Sequence, residues 1–364
     1  MQRLSVEPSG SRYDVIIDAG GLERAGSYID RLAQNRRLFV IADSRAHAAQ
    51  GGRLRAGLEG LTFDELTVDL GEDRKRLEVV EQLAEKLHRL GADRASLVIA
   101  LGGGVAGDVA GFVAASYMRG IDFVQIPTTL LAQVDASVGG KTGVNLASGK
   151  NLVGAFHQPR LVLIDPQTLD TLPDREYRAG LFEVIKHGII RSRDLFDFMD
   201  EYREDVLARQ PAALDRVISQ SVRIKADVVK QDEREGDIRR ILNYGHTLGH
   251  ALEAETGYKR YLHGEAIGWG MVAAGRLAES LGTLSSADRR KMEEVILAYG
   301  IPSTQGLEAE NIAARIGGDK KTIGGRVHFV LTEAIGRVRI VVDPASDQVV
   351  SATSAAIRAM ANSH

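Results

Sequence analysis

The sequence has no cysteine, which removes disulfides, thiolate-held zinc and a cysteine nucleophile at once. An excess of one charge is missing too: 46 Lys and Arg stand against 49 Asp and Glu, a formal net charge of -3. That near balance argues against nucleic acid or an acidic membrane surface as a partner. Long apolar runs are also lacking. The longest, "SLVIALGGGVAGDVAGFVAASYM", is interrupted by glycines and by Asp108, and reads as a buried strand and helix rather than a membrane span. The opening residues "MQRLSVEPSGSRYD" lack the apolar core of a signal peptide, so a cytoplasmic location is expected. There is no internal repeat, low-complexity tract or flexible linker.

What is present is a chain of 364 residues, 44 % hydrophobic and 26 % charged, a globular profile with room for two domains. Its first half alternates β-rich runs with amphipathic segments. "DVIID", "RLFVIAD", "FDELTVDL", "SLVIALG", "DFVQIPT" and "LVLIDP" are strand candidates. Residues 74–91 form a helix candidate, with Leu77, Val80, Leu83, Ala84 and Leu87 on one face and Gly91 as its stop. Strands alternating with helices predict a mostly parallel sheet covered on both faces. After about residue 170 long helical periods take over, at 175–191, 212–232, 240–256, 262–281 and 286–298, with one hairpin-like pair in "VHFVLTEAIGRVRIVV". The expected organisation is an α/β domain over 1–170 and a mainly α-helical domain over 171–364, with a ligand cleft between them.

Several stretches carry candidate chemistry, each with a plainer alternative. "ALGGGVAGDVAG" runs from a strand through glycines into a helix, where free N–H groups and the helix dipole favour phosphate. It departs from the G-x-G-x-x-G spacing, so a tight turn without a ligand is the alternative. Asp43 ends an apolar strand, where it could accept bonds from a ribose or merely cap a helix. "GGKTG" has the end of a phosphate loop, but Asp135 stands where that motif needs glycine, which excludes the NTPase reading. In "ILNYGHTLGHALE", Asn243, His246 and His250 fall on one helical face, as a metal or substrate site or as core histidines. "FEVIKHG" places Glu183, Lys186 and His187 on one side of an apolar helix, and "YLHGEAIGWGM" opens another helix with His263. Glu183, His246 and His263 would make an oxygen–nitrogen–nitrogen metal site with an open position; His187 and His250 are rival ligands by the same geometry. Arg119, Lys141, Lys150, Lys186, Lys225 and Arg239 lie beside glycines and apolar runs, as a pocket for an anion would require, or else as solvated charges.

Together these stretches resemble the 3-dehydroquinate synthase family of the sugar-phosphate cyclases. The resemblance runs from about residue 40 to 330 and includes, in the family's order, "GGGVAGDVAGFVAASYMRG", "QIPTTLLAQVDASVGGKTGVN", "GKNLVGAFHQP", "EVIKHG", "DEREGDIRRILNYGHTLGHALE" and "LHGEA". It implies a Rossmann-like N-terminal domain, an α-helical C-terminal domain and an active site between them. It further implies NAD contacts from Asp43, Glu72, Lys75, Gly103, Gly104, Val105, Asp108, Thr128, Thr129 and Leu131, with Lys141 and Lys150 nearby. Glu183, His246 and His263 would hold a divalent metal, zinc or alternatively cobalt. Substrate and catalytic roles fall on Arg119, Asp135, Lys141, Lys150, Asn151, Lys186, Lys225, Arg239, Asn243 and His250. One of Lys320 and Lys321, with Lys321 favoured, would join them. His187 stands where the family often has an aromatic residue and is left outside the site.

The implied substrate is the sugar acid phosphate 3-deoxy-D-arabino-heptulosonate 7-phosphate, and the implied assembly a homodimer. Two rivals remain on the sequence alone besides another sugar-phosphate cyclase. A metal-dependent polyol dehydrogenase would use the same kind of NAD turn but would need fewer Lys and Arg residues. A non-catalytic NAD or sugar-phosphate regulator would have no use for a metal triad with an open position.

Overall fold

Runs of β-branched and aliphatic residues bounded by turns become strands wherever both of their faces can be buried. In the computed structural model, which describes residues 1–316, the backbone of 322–323, and 326–361, this produces nine strands over the first half. They are β1 (Gln2–Val6), β2 (Tyr13–Ile17), β3 (Leu38–Asp43), β4 (Phe63–Val68), β5 (Leu97–Gly102), β6 (Asp122–Pro127), β7 (Lys141–Leu146), β8 (Gly149–Phe156) and β9 (Leu161–Ile164). Seven of them form one sheet in the order β1-β2-β9-β6-β5-β3-β4, parallel except for the β1–β2 pair. Helices α1 (Ala25–Ala33), α2 (Ser44–Gly57), α3 (Leu77–Arg89) and α4 (Gly104–Ser116) alternate with the strands. Side-chain alternation divides the core into two layers. Phe39, Ile41, Val98 and Ala100 pack with α3 and α4, whereas Leu38, Val40, Leu97 and Ile99 pack with α1 and α2.

All six expected strands are present, and the parallel sheet covered on both faces is observed. Three further strands are not foreshadowed: β1, and the antiparallel hairpin β7–β8, whose sequence is too rich in glycine and polar residues to show an apolar alternation. Lys141 opens β7 instead of a helix, so "GGKTG" is no phosphate loop in structure either. Within α3 the buried stripe is Val79, Val80, Leu83 and Leu87, and Leu77 is 44 % exposed. Leu77 begins the helix, one turn before the sheet can cover it.

The second half folds into α5 (Asp174–Arg191), α6 (Arg193–Glu201), α7 (Arg203–Leu207), α8 (Pro211–Gln231), α9 (His246–Glu255), α10 (His263–Ser280), α11 (Ser286–Ala298), α12 (Ala309–Arg315) and α13 (Ser346–Ala361), with a small antiparallel sheet of β10 (Thr322–Ile323), β11 (Arg326–Ala334) and β12 (Arg337–Val342). No helix among the described residues is long and apolar enough to cross a membrane.

The chain forms two compact units, Met1–Pro173 with Leu214–Arg234, and Asp174–Ala213 with Glu235–His364. The expected boundary at 170/171 assigned all of 171–364 to one domain, whereas most of α8 belongs with the first unit. Its polar side chains explain why: Asp215 accepts from Gln2 Nε2 at 2.7 Å, Lys230 pairs with Glu7 at 3.0 Å, and Lys225 reaches Asp135 Oδ1 at 2.9 Å. In the second unit α10 is largely buried around Trp269 and packs on α5, α9, α11 and α13.

Candidate functional site

In the first unit the chain passes from β3 outward to β4 and then back to β5 on the other side of β3. Such a reversal of strand order leaves a crevice at the carboxyl ends of the two diverging strands. Asp43 ends β3 there and Gly102 ends β5 beside it. Gly103 caps α4 without any side-chain bond, so the first N–H groups of α4 have no partner inside the helix. A Cβ on Gly103 would meet Thr129 Cγ2 at 3.0 Å, and one on Gly104 would meet Ala136 Cβ at 3.3 Å. Glycine keeps this turn open, as the approach of a phosphate-bearing ligand would require. Thr128 donates its N–H to Gly102 O at 2.9 Å, and Thr129 Oγ1 accepts from Ala132 N, closing the turn that carries Leu131.

The structure gives Asp43 the plainer of its two roles. Its Oδ1 accepts from Arg45 N and Ala46 N at 3.0 and 3.2 Å, capping α2, and its Oδ2 accepts from Leu70 N at 3.0 Å. A carboxylate has further lone pairs, so the cap leaves an acceptor for a ribose hydroxyl.

Lys75 gathers two of the other expected residues. Its buried Nζ donates to Asp108 Oδ2 and to Asn151 Oδ1, both at 2.5 Å. Desolvation raises the Asp108 carboxyl above its ordinary pKa, while Lys75 acts in the opposite direction. Asn145, which the sequence reading missed, ties this group together. It donates to Glu72 Oε1 at 2.8 Å, accepts from Asn151 N at 2.8 Å, and donates its own N–H to Lys75 O at 2.7 Å. Lys150 lies 4.0 Å from Glu72. Lys225, buried on α8, also donates to Asp135 O at 2.5 Å. Lys141 and Arg119 are exposed. Arg119 follows the far end of α4, about 20 Å of helix from the glycine turn, so this unit does not bring it to that turn.

The second unit assembles its site through glycine contacts between helices. On α10, a Cβ at Gly264 would fall 1.9 Å from Ala179 O of α5, and one at Gly270 would fall 2.0 Å from Gly245 O just ahead of α9. These approaches draw His263, the first residue of α10, toward both Glu183 and the α9 histidines. Glu265 fixes that helix start: its Oε2 accepts from Leu262 N at 2.7 Å, and Arg175 pairs with its carboxylate.

The expectation of one continuous helix over 240–256 does not hold. A 3-10 turn over Ile238–Asn243 ends first, Gly245 takes a left-handed φ of +76°, and α9 begins at His246. A Cβ at Gly245 would meet Met271 N at 2.9 Å, so close packing forces the break. Asn243 therefore does not share a helix with His246 and His250. It is held instead by Glu235, whose Oε1 accepts from its Nδ2 at 2.7 Å. Arg239 in the same turn is buried.

Glu183 Oε1 lies 3.9 Å from His246 Nε2 and 3.8 Å from His263 Nε2. Lys186, one turn on in α5, forms a buried ion pair with Glu183 Oε2. His246 Nδ1–H donates to Tyr244 O at 3.1 Å, which directs Nε2 toward Glu183. His250 closes the group, because ligand atoms of His246, His250 and His263 lie within 4.8 Å of one another. One carboxylate and two Nε2 atoms converging at this range suit a divalent cation with borderline nitrogen and oxygen preference, zinc above all. His187 is buried on α5, and Lys320 and Lys321 lie outside the described residues.

A doubly wound sheet with an open glycine turn, joined in one chain to a helical unit with a carboxylate–histidine cation set, defines a class: α/β enzymes equipped for a dinucleotide and a metal. The comparisons narrow it. Residues 65–179 match the family model for the 3-dehydroquinate synthase N-terminal region, and residues 180–322 match that for the C-terminal region. A 3-dehydroquinate synthase from Solibacter usitatus is 56 % identical over 92 % of this chain and 94 % of its own length. The chain belongs to the 3-dehydroquinate synthase family.

Among solved structures, 2-epi-5-epi-valiolone synthase from Streptomyces hygroscopicus, with NAD⁺ and Zn²⁺ bound, matches with a TM-score of 0.89 at 28 % identity, covering 98 % of this chain and all of that one. A 2-deoxy-scyllo-inosose synthase complexed with carbaglucose-6-phosphate, NAD⁺ and Co²⁺ matches at 0.87 and 27 %, covering 97 % and 99 %. A probable glycerol dehydrogenase from Sinorhizobium meliloti, at 15 % identity and a TM-score of 0.69 over 96 % of this chain and 98 % of that one, shares the fold alone.

Proposed function

We propose that the chain converts 3-deoxy-D-arabino-heptulosonate 7-phosphate into 3-dehydroquinate and inorganic phosphate, the reaction of the shikimate route to aromatic amino acids. The observation that carries this reading is the Glu183–His246–His263 set with its Lys186 counter-ion, standing in a chain of this family. The substrate is oxidised, loses phosphate, is reduced again and closes by an intramolecular aldol reaction, so the cycle has no net redox change. Bound NAD⁺ supplies a hydride acceptor restored in each turnover, and a bound divalent metal, zinc or cobalt, supplies Lewis-acid stabilisation of developing alkoxide charge.

The chain's own residues do the rest. Gly103, Gly104 and Val105 would offer backbone N–H groups to a dinucleotide's pyrophosphate, while Asp43, Glu72, Lys75, Asp108, Thr128, Thr129 and Leu131 would shape the remainder of that cradle. Glu183, His246 and His263 would hold the metal, and Lys186 pairs with the second oxygen of Glu183. Lys141, Lys150 and Asn151 are the phosphate donors, and Lys321, outside the described residues, is a further candidate. Lys225 and Arg239 meet the carboxylate, for which the Arg239 fork matches two oxygens at once. His250 and Asn243 hold the substrate hydroxyls, with His250 as the proton carrier, and Asp135 orients Lys225. Holding one flexible molecule between cations at its two anionic ends is the main work.

The test is phosphate release with NAD⁺ far below the substrate concentration. Release should run to completion without NADH accumulating. NADH rising in step with product would replace this reading by a polyol dehydrogenase, and equal turnover of sedoheptulose 7-phosphate would replace it by a cyclase for neutral sugar phosphates. The same reading carries a cytoplasmic homodimer, as the family resemblance implies, and sedimentation at micromolar concentration measures the latter.

A further inference from the structure

We propose that Glu253 is a positioning residue for the metal, acting through His263; this rests on the metal assignment above. Glu253 is buried, and its Oε2 lies 3.3 Å from His263 Nδ1. The opposite nitrogen of that ring, Nε2, is the one that lies 3.8 Å from Glu183. A carboxylate accepting from Nδ1–H holds the imidazole in the tautomer whose Nε2 lone pair is free, and it makes that nitrogen a better donor.

The two metal-facing histidines are thus supported differently. His246 donates its Nδ1–H to the neutral backbone carbonyl of Tyr244 at 3.1 Å, which no substitution at position 244 removes. His263 is half exposed and starts its helix, so its ring orientation depends more on a side chain. Glu253 also has the right origin for the task. It stands seven residues after His246 and three after His250 on α9, on the same helical stripe as both. One face of α9 therefore supplies His246, His250 and the carboxylate that aims His263 from α10.

The experiment measures Zn²⁺ affinity by competition with a chromophoric chelator in the full chain, alongside thermal unfolding of the metal-free protein. Glu253→Ala should lower Zn²⁺ affinity by about 10–100-fold with little change in the metal-free unfolding temperature. Glu253→Gln keeps the volume and an acceptor oxygen but not the charge, and should lose less, about 3–10-fold by the same reasoning. In the Co²⁺-substituted protein both variants should shift the d–d absorption bands, which a purely structural role would leave alone. Unchanged affinity and an unchanged Co²⁺ spectrum in the folded Gln variant would overturn the proposal, even if the Ala variant failed to fold. An unmodified protein that bound no Zn²⁺ would overturn the metal assignment itself, and the positioning role with it.

Discussion

In the first unit, the surface presented to a ligand is largely backbone. Gly103 and Gly104 hold a cradle open, the start of α4 offers N–H groups, and the carboxylate of Asp43 is already engaged by three backbone donors. In the second unit it is largely side chain. Glu183, Lys186, His246, His250 and His263 come from three helices and meet because glycines let those helices approach. Backbone recognition is shared among many weak donors, so removing one side chain should weaken it by degrees. A cation set of three ligands has no such reserve.

The contrast is tested first where the effect should be largest. His246→Ala and His263→Ala should each lower zinc affinity by more than the ~100-fold upper range of an indirect change and abolish turnover, with the fold kept by circular dichroism. His250→Ala should retain the metal and lose turnover. Zinc lost equally from His250→Ala would make the three histidines the ligand set and displace Glu183.

Next in size is Arg239→Leu. Loss of a buried charge partner should cost about 2–5 kcal/mol in kcat/KM with the acid substrate, without changing metal content. A variant with wild-type kcat/KM would remove Arg239 from the pocket.

Gly264→Ala addresses the scaffold beneath the second site. With a Cβ 1.9 Å from Ala179 O, α10 must shift from α5, and the overpacking should lower unfolding stability by about 1–3 kcal/mol. Because that shift would separate His263 from Glu183, zinc should also be bound more weakly. A stable variant with full zinc affinity would show that the helix crossing does not build the site.

The smallest effects are expected at Asp43. Asp43→Ala should weaken NAD⁺ binding by about 1–2 kcal/mol and, separately, reduce stability by about 1 kcal/mol through the lost cap of α2. Asp43→Asn keeps the capping oxygen but loses the acceptor for Leu70 N, and should restore the cap's share of the stability but not the affinity. Calorimetric titration and thermal unfolding of the pair separate the two roles. If stability and affinity fell together in both variants, the cofactor contact would be indirect.

Much of this protein was legible before any coordinates. The period-2 and 3.6 patterns located six strands and the ends of α5, α8, α10 and α11 to within a residue or two, because burial on a sheet or helix face is a local demand. The glycine run after β5 was equally visible, since glycine is required wherever another atom must approach the backbone. Motif order pointed to Glu183, His246 and His263. Tertiary structure alone decided what those residues do to one another. No local rule tells that Gly245 must break the helix after Asn243, since the reason is Met271 on α10. Nor does one tell that α8 joins the first unit through Gln2, Glu7 and Asp135, or that Asn145 knots Glu72, Lys75 and Asn151 together. Glu253 lay in plain view seven residues past His246, yet its meaning depends on a partner on another helix. Periodicity reports which face a residue shows; only packing fixes what stands opposite.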